Sequence, residues 1–223
     1  MTAKAYQIDA AAREIREVEW DDTGIVDIRR FLNCGDSGFC VGWMFAGEPV
    51  YIDDKGLLKP SRHFFQVINL DVRGGASTPL AGNGLYTGRD LYKPNGDSAG
   101  AAPPRMSIEE FREKIRFLSR AQADAWSAIH AKESCTSING QTVQTWEQFW
   151  REVPIPEGLP NVVLRLDGPD GTTNVAFPTV WDAIDRARLL RDFRPLGAWK
   201  HGALISPDLT VLLTADEITK VLS

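Results

Sequence analysis

Three glycines lie within seven residues of the segment PLAGNGLYTGRD, residues 79–90. Glycine-rich turns that open a helix can bind the phosphates of a nucleotide through backbone N–H groups. The dinucleotide fingerprint requires G-x-G-x-x-G followed by a helix, whereas this segment has G-x-G-x-x-x-G followed by a non-helical sequence. Asn83 and Gly84 are residues that tolerate the positive φ angles of a turn. The segment is therefore predicted to be a turn that leads into a strand.

The segment GDSG, residues 35–38, has the same residues as the nucleophile loop of trypsin-like proteases. A catalytic serine needs a histidine and an aspartate, which the fold must bring to it. His63, His130 and His201 lie in unrelated sequence contexts. The segment is therefore predicted to be a surface loop.

Residue types that bind metals do not occur at metal-binding spacings. The sequence contains no H-x-H, H-E-x-x-H or C-x-x-C motif, so no metal and no cofactor is predicted. The acidic pairs Asp21-Asp22 and Asp53-Asp54 have the chemistry to bind a divalent cation or to transfer protons. Adjacent strand residues point to opposite faces, however, and turn or strand-end positions explain both pairs at least as well.

A group of polar residues in the first half offers one candidate site. These side chains converge if the strands that carry them are neighbours, and an unrecognised enzyme is then the alternative function. The candidate residues are Arg62, His63, Asp71, Asn83, Arg89 and Asp90.

Aromatic residues offer a second candidate, because seven tryptophans are many for a chain of this length. Trp146, Phe149 and Trp150 are spaced i, i+3 and i+4, which places them on one face of a helix. Burial in a core is the favoured interpretation, since aromatic side chains dominate core packing. The alternative is an exposed aromatic groove that contacts a partner protein.

The composition of the 223 residues is typical of a soluble globular protein, with 43% hydrophobic and 25% charged residues. The net charge of −5 disfavours nonspecific nucleic-acid binding. It is also too small and too evenly spread to favour an acidic nucleic-acid mimic, which stays the weaker alternative.

The cysteine count and the hydropathy pattern predict a cytoplasmic protein. Three cysteines are too few for a disulfide scaffold and favour a reducing compartment. No apolar run approaches the roughly 20 residues that span a bilayer, and the first 20 residues lack the apolar region of a secretory signal. No membrane association is predicted.

Residues 1–93 are predicted to form a small, mainly antiparallel β module. Strands are indicated at 6–8, 15–20 and 63–72, and FCVGWMF and EPVYIDD form a hairpin around Ala46 and Gly47. A short helix is indicated at 24–32 by the helical spacing of its apolar residues. Residues 94–106 follow as a linker or exposed loop, because this stretch is rich in Pro, Gly and Ala.

Residues 107–223 are predicted to form a second α+β module, with helices packed on an antiparallel sheet. A long helix is indicated at 107–130, starting at a Ser107–Glu110 capping box. Its apolar stripe contains Ile108, Phe111, Ile115, Leu118, Ala125 and Ile129. Further helix starts are indicated at Thr145, Thr179 and Thr214. NVVLRLDGPDGTTNVAF is predicted to be a hairpin, and ALISPDLTVLL two short strands.

Several blocks of the first half occur in a familiar order: YQIDAAAREIREVEW, VYIDDKGLLKP, FF and PLAGNGLYTG. As a set, residues 5–90 resemble a family of small uncharacterised proteins that are encoded mostly by bacteriophages, prophages and other mobile elements. The resemblance implies a cytoplasmic accessory protein, and it implies no catalytic residues.

The function that the sequence favours is that of a non-enzymatic binding or accessory protein acting through protein–protein contact. The missing catalytic motifs, the mild acidity and the many aromatic residues support this interpretation. Another protein is the expected partner, nucleic acid is not expected, and a homo-oligomer stays open.

Overall fold

A computed structural model describes residues 2–21, 25–68, 75–92, 98–130, 148, 151, 153–154, 162–168, 171–192, 200–206 and 210–223. The chain divides into two compact units, Met1–Ser119 and Arg120–Ser223. The first unit is mostly antiparallel β structure, and most of the helical residues lie in the second. The predicted α+β fold class is therefore confirmed.

The first unit contains the strands predicted around 6–8, 15–20, 39–53 and 63–67, and further strands that were not predicted. In chain order they are β1 (Thr2–Asp9), β2 (Glu14–Asp21), α1 (Ile25–Leu32), β3 (Phe39–Phe45), β4 (Glu48–Asp53), a 3₁₀ helix (Gly56–Leu58), β5 (His63–Val67), β6 (Leu80–Ala81), β7 (Gly84–Thr87), β8 (Asp90–Tyr92), β9 (Ser98–Ala101), α2 (Ile108–Glu113) and β10 (Ile115–Ser119).

Three antiparallel sheets are present in the described part of the first unit, with the strand orders β2-β1-β7-β4-β3, β10-β5-β6 and β8-β9. The β3–β4 hairpin turns at Ala46 and Gly47, as predicted, and both residues have positive φ angles, 49° and 88°. Two positive φ angles are the mark of a type I′ turn, whose twist matches that of the paired strands.

The five-stranded sheet is covered on both faces, and its middle strand β7 is buried throughout. Tyr6, Ile8 and Tyr86 pack on one face against Phe65 and Phe111. The opposite face carries a second apolar cluster, to which β1, β2, β7 and α1 contribute. Neighbouring residues on one strand, such as Ala5 and Tyr6, therefore enter different cores.

The long helix predicted at 107–130 is wrong, because the structure divides this stretch into three elements. Helix α2 ends at Glu113, and Ile115–Ser119 forms β10, which pairs antiparallel with β5. Ile115 and Phe117 pack on the core that Phe65 belongs to. Pairing with β5 therefore overrides the helical spacing of Ile115 and Leu118 in the predicted stripe. Ile129, the last residue of the predicted apolar stripe, is exposed.

The division between the units lies after Ser119, later than the boundary that the sequence indicates at 94–106. Residues 98–101 form β9, and Ala102 N donates to Arg89 O at 3.0 Å. This stretch of small residues is attached to the first unit by backbone hydrogen bonds, and β10 extends that unit further.

The second unit contains α3 (Arg120–Ile129), β11 (Val162–Gly168), β12 (Gly171–Phe177), α4 (Val180–Asp192), β13 (Lys200–Ile205), β14 (Val211–Thr214) and α5 (Ala215–Leu222). Its sheet has the order β12-β11-β13-β14, so two hairpin-plus-helix segments meet at the central pair of β11 and β13. Val162, Leu164 and Leu166 alternate with more exposed residues and face the covered side of the sheet. The predicted hairpin and the two predicted short strands are confirmed.

Helix starts are the most accurate part of the sequence prediction. Ser107 and Thr214 each form a complete capping box with the glutamate three residues later. Asp182 N donates to the Thr179 hydroxyl at 3.1 Å. The start predicted at Thr145 lies outside the described residues. No helix within the described ranges is long and apolar enough to cross a membrane.

Candidate functional site

The glycine-rich segment is structural. Gly82 has φ +77° in the turn between β6 and β7, so the positive φ lies there and not at the predicted Asn83-Gly84. A Cβ atom on Gly84 would lie 2.8 Å from the Phe65 ring, and one on Gly88 would overlap the Ala102 carbonyl oxygen. The first glycine permits the turn and the others permit close packing. The predicted turn and the following strand β7 are confirmed.

The polar residues of the enzyme alternative lie in two separate places. His63 begins β5, and its carbonyl oxygen accepts a hydrogen bond from Gly82 N at 3.1 Å, next to Asn83. Arg89 and Asp90 lie beyond the other end of β7. Strand β7, which lies between Asn83 and Arg89, itself spans about 10 Å at about 3.3 Å per residue. The described members therefore do not share one site.

Individual members of this polar set have structural or surface positions. The Asn83 side chain accepts from Ala10 N at 3.3 Å and donates to Phe31 O at 3.4 Å, which joins a hairpin loop to α1. Arg62 and His63 are exposed. Asp71 lies outside the described residues.

The aromatic candidates Trp146, Phe149 and Trp150 also lie outside the part of the chain that the structure describes. Their grouping on one helix face stays a prediction.

Thiol and carboxylate chemistry is not concentrated in one place. Cys34 and Cys40 are free thiols, and burial is the main cause that raises the pKa of each. Asp53 is buried and pairs with Lys59, whose Nζ lies 2.5 Å from its Oδ2. Within the described ranges, no three His, Cys, Asp or Glu side chains are arranged to hold a metal ion. GDSG lies in a turn and bend outside the helices and strands, which agrees with the predicted loop.

A buried carboxylate lies in the core of the first unit. The Glu48 side chain is almost completely buried and accepts a hydrogen bond from the Tyr86 hydroxyl. Its two oxygens also accept from Arg105 N at 3.2 and 3.3 Å. Burial, followed by the bond to Glu48, raises the pKa of Tyr86, so the phenol stays protonated and donates. This group attaches the segment before α2 to the sheet.

A second buried carboxylate lies in α3 of the second unit. Arg120 Nε donates to both Asp124 oxygens, at 2.9 and 3.0 Å, and both side chains are buried. The same guanidinium donates to Pro154 O at 2.8 Å and to Val153 O at 3.2 Å. Burial raises the pKa of Asp124 to about 6, against the opposing effect of Arg120. The arginine therefore fixes residues 153–154 on α3.

The feature best suited to contact a partner is the outer edge of β3, Phe39–Phe45, which we call the β3 edge. Within the described residues β3 pairs only with β4, so one side of its backbone has no strand neighbour. All seven residues, FCVGWMF, are uncharged. Val41 and Met44 are 45% and 51% exposed.

The side chains of the β3 edge are arranged by a bulge. The pairing with β4 shifts register between Val41 and Trp43. Phe39 packs in the core beneath α1, whereas Trp43 and Phe45 pack in the opposite core. Strand alternation on the two sides of the bulge then places Val41 and Met44 on the same face, the one that carries α1.

The other edge of the same sheet is different. Strand β2, EIREVEWD, has charged residues at five of its eight positions. Lys4 of the neighbouring strand pairs with Glu17 at 2.9 Å. Charged side chains are the usual protection of an exposed edge against pairing with another chain. The β3 edge lacks this protection.

Sequence reasoning found the β3–β4 hairpin but not the significance of its first strand. The available signal was a run of seven residues without a charge next to a tight turn. Whether such a strand lies at an edge or in the centre depends on sheet order, which local sequence does not show.

Comparison with known proteins adds no functional information: no family model matches the chain, and neither a curated protein nor a solved structure matches significantly.

Proposed function

We propose that this protein is a non-enzymatic accessory protein that binds another protein through the β3 edge. The observation that carries the proposal is the contrast between the two edges of one sheet. An exposed, uncharged edge strand is a template for strand addition, because its backbone groups and its apolar side chains are both available to a partner. Val41 and Met44, on one face, supply an apolar contact beside the backbone ladder.

The bulge favours a partner other than a second copy. Two β3 strands paired antiparallel about a two-fold axis at their centre align Gly42 with Gly42. The bulges of the two β3 strands then lie opposite each other at the centre of the interface. They interrupt the backbone pairing there. A different chain has no such restriction, so the proposed occupant is an extended, apolar segment of a partner protein.

The proposed setting is a cytoplasmic function in a phage or another mobile element. It is supported only by the resemblance of residues 5–90. An enzymatic function has less support, because the described members of the polar set lie in two places and the glycine-rich segment serves packing.

Site-specific photocrosslinking tests the proposal. A benzophenone amino acid at Val41, and separately at Glu19 of β2 as the control, is irradiated in cells of the native host. We expect one defined adduct from position 41 and none from position 19. The partner so identified is then purified, and hydrogen exchange of the β3 amides is compared with and without it.

The expected result is slower exchange in β3, lost in the Met44→Lys variant and kept in Glu19→Lys, which adds the same residue at the other edge. The proposal would be contradicted if the partner slowed hydrogen exchange only in other strands. It would also be contradicted if the Met44→Lys variant bound the partner unchanged. Light scattering tests the alternative occupant. A homodimer that dissociates in the Met44→Lys variant would show that the β3 edge binds a second copy of this chain, and would overturn the choice of a different protein.

A further inference from the structure

A cleft of about 430 Å³ opens in the first unit, beside the loop between β1 and β2. This volume is within the usual range of small-molecule sites, about 300–1,000 Å³. We call it the arginine cleft, because three arginines contribute to its wall. The residues that line it are Arg13, Glu14, Ile15, Arg16, Arg112 and Phe117.

Arg13 is in an unusual conformation for its residue type. Its φ angle is +58°, a left-handed conformation in which glycine or asparagine is less strained. Its Nη2 donates to Phe117 O at 3.4 Å, which directs the guanidinium along the cleft. Among the described residues, Arg13 has no carboxylate partner. Strain of this kind is often retained where a side chain is needed.

Arg112 reaches the cleft from α2. Its Nη2 donates to Ile15 O at 2.9 Å, so a carbonyl oxygen orients the guanidinium without neutralising it. The nearest carboxylate, Glu109, lies 3.7 Å from Nη1 and is itself largely exposed. Solvent weakens an exposed pair of this kind.

Arg16 has a different role from the other two arginines. It lies 3.0 Å from Asp9 and donates to Gln7 Oε1 at 3.1 Å, so its charge is already balanced. The positive charge available in the cleft therefore comes from Arg13 and Arg112, while Glu14 is the one carboxylate in the lining.

We propose that the arginine cleft binds a phosphate monoester, with the phosphate between Arg13 and Arg112. A guanidinium presents paired donors that match phosphate oxygens. A dianion is favoured over a single carboxylate, because its two charges gain more from the two arginines than they lose through repulsion from Glu14. The partly exposed Phe117 offers an apolar surface to the substituent of the ester. The site is independent of the β3 edge.

Thermal unfolding with phenyl phosphate tests the proposal, at constant ionic strength maintained with chloride. Inorganic phosphate and phenol are the comparison ligands, since each carries one part of the ester. A ligand at ten times its Kd is expected to raise the Tm by about 3 °C. We expect this rise with phenyl phosphate and none with phenol. An equal rise with inorganic phosphate also supports the site and identifies free phosphate as a sufficient ligand.

Substitutions of Arg13 separate binding from stability. Arg13→Gly is expected to raise the Tm of the free protein by about 2 °C, because the strain is removed. The same substitution is expected to weaken phenyl phosphate binding at least tenfold. Arg13→Gln keeps a non-glycine residue at this positive φ angle. It is expected to lose phenyl phosphate binding without the rise in Tm. Arg116→Gln is the matched control, an exposed arginine of β10 outside the lining, and is expected to bind normally.

Two results would overturn the site. One is a Tm that phosphate compounds raise no more than chloride or phenol does. The other is a ligand-dependent rise that survives in Arg13→Gly and Arg13→Gln, or that falls equally in Arg116→Gln.

Discussion

Glu48 of the first unit and Asp124 of the second are the most deeply buried carboxylates in the described residues, and they have different partners. Glu48 of the first unit faces a neutral phenol, Tyr86, and the main-chain N–H of Arg105. The guanidinium of Arg105 is exposed and lies 3.6 Å away. Asp124 of the second unit faces the guanidinium of Arg120, which is buried with it.

The comparison shows two ways to attach an irregular segment to a core. Near Glu48 the segment supplies an N–H donor, and near Arg120 it supplies two carbonyl acceptors at Val153 and Pro154. Buried backbone groups outside helices and sheets need such partners. Both groups are thus occupied in holding the fold, so the groups available for binding lie at the surface. The main expected difference is in the free energy of unfolding that is lost when a partner is removed. We expect this loss to be greater for the charged partner, Arg120, than for the neutral partner, Tyr86.

The largest effect is expected for Arg120→Met. Removing the guanidinium leaves a buried carboxylate without its partner and two carbonyl groups without a donor. Loss of one member of a buried pair typically costs about 3–5 kcal/mol, and we expect a loss in this range. Denaturant unfolding followed by circular dichroism at neutral pH measures it.

Two further variants control that experiment. Arg120→Met combined with Asp124→Leu is expected to recover part of the loss, since no unpaired charge remains. Arg165→Met removes an exposed pair with Asp167, 3.2 Å away, and is expected to cost less than about 1 kcal/mol. If Arg120→Met costs no more than Arg165→Met, the buried pair does not support the second unit.

The next effect is a pH dependence that belongs to the second unit. The pKa of Asp124 is about 6 in the folded chain because of burial, and about 4 for an aspartate in an unfolded chain. The folded state therefore binds this proton more tightly. Its contribution to stability is complete below about pH 4 and is lost as the pH rises through about 6. The loss is on the order of 2–3 kcal/mol.

The Asp124→Asn variant has no carboxyl group to titrate at this position. The test therefore depends on how stability changes with pH and not on the stability at one pH. We expect the difference in unfolding free energy between wild type and variant to change across pH 4–6 and to be constant from pH 7 to 8. Unfolding curves at matched ionic strength test this expectation. Parallel pH profiles for the two proteins would mean that Asp124 does not titrate in this range.

Local features were predictable and long-range features were not. The capping boxes at Ser107 and Thr214, and the turn at Ala46-Gly47, depend on residues close in sequence, and the structure confirms them. The helix predicted over β10 is wrong because Ile115 and Leu118 fit a helical period, whereas Ile115 and Phe117 fit the strand period. Only the presence of β5 decides between them.

The candidate sites show the same limit. Arg112 donates to Ile15 O across 97 residues of sequence, so no local motif indicates the arginine cleft. The β3 edge depends on strand order in the same way. The polar set from Arg62 to Asp90 was grouped on the assumption that its strands bring it together, whereas β7 separates Asn83 from Arg89.

A smaller effect is expected when the neutral partner in the first unit is removed. In Tyr86→Phe the ring can keep its stacking on Phe111, whose centroid lies 4.4 Å away. Glu48 also keeps its hydrogen bonds from Arg105 N. Because Glu48 accepts this bond as a carboxylate, its loss costs about 1.5–3 kcal/mol. A loss in denaturant unfolding as large as that of Arg120→Met would remove the distinction between the two carboxylates.

The smallest effect is expected for Tyr6→Phe, which removes another side-chain contact to the same segment. The Tyr6 hydroxyl donates to Met106 O at 2.9 Å in a partly buried position, where water can replace it. We expect a loss of about 0.5 kcal/mol. Hydrogen exchange at the Arg105 amide separates the two tyrosines, because this N–H donates to Glu48. Exchange is expected to accelerate in Tyr86→Phe and to be unchanged in Tyr6→Phe; equal acceleration would show that Glu48 and Met106 hold the segment together as one unit.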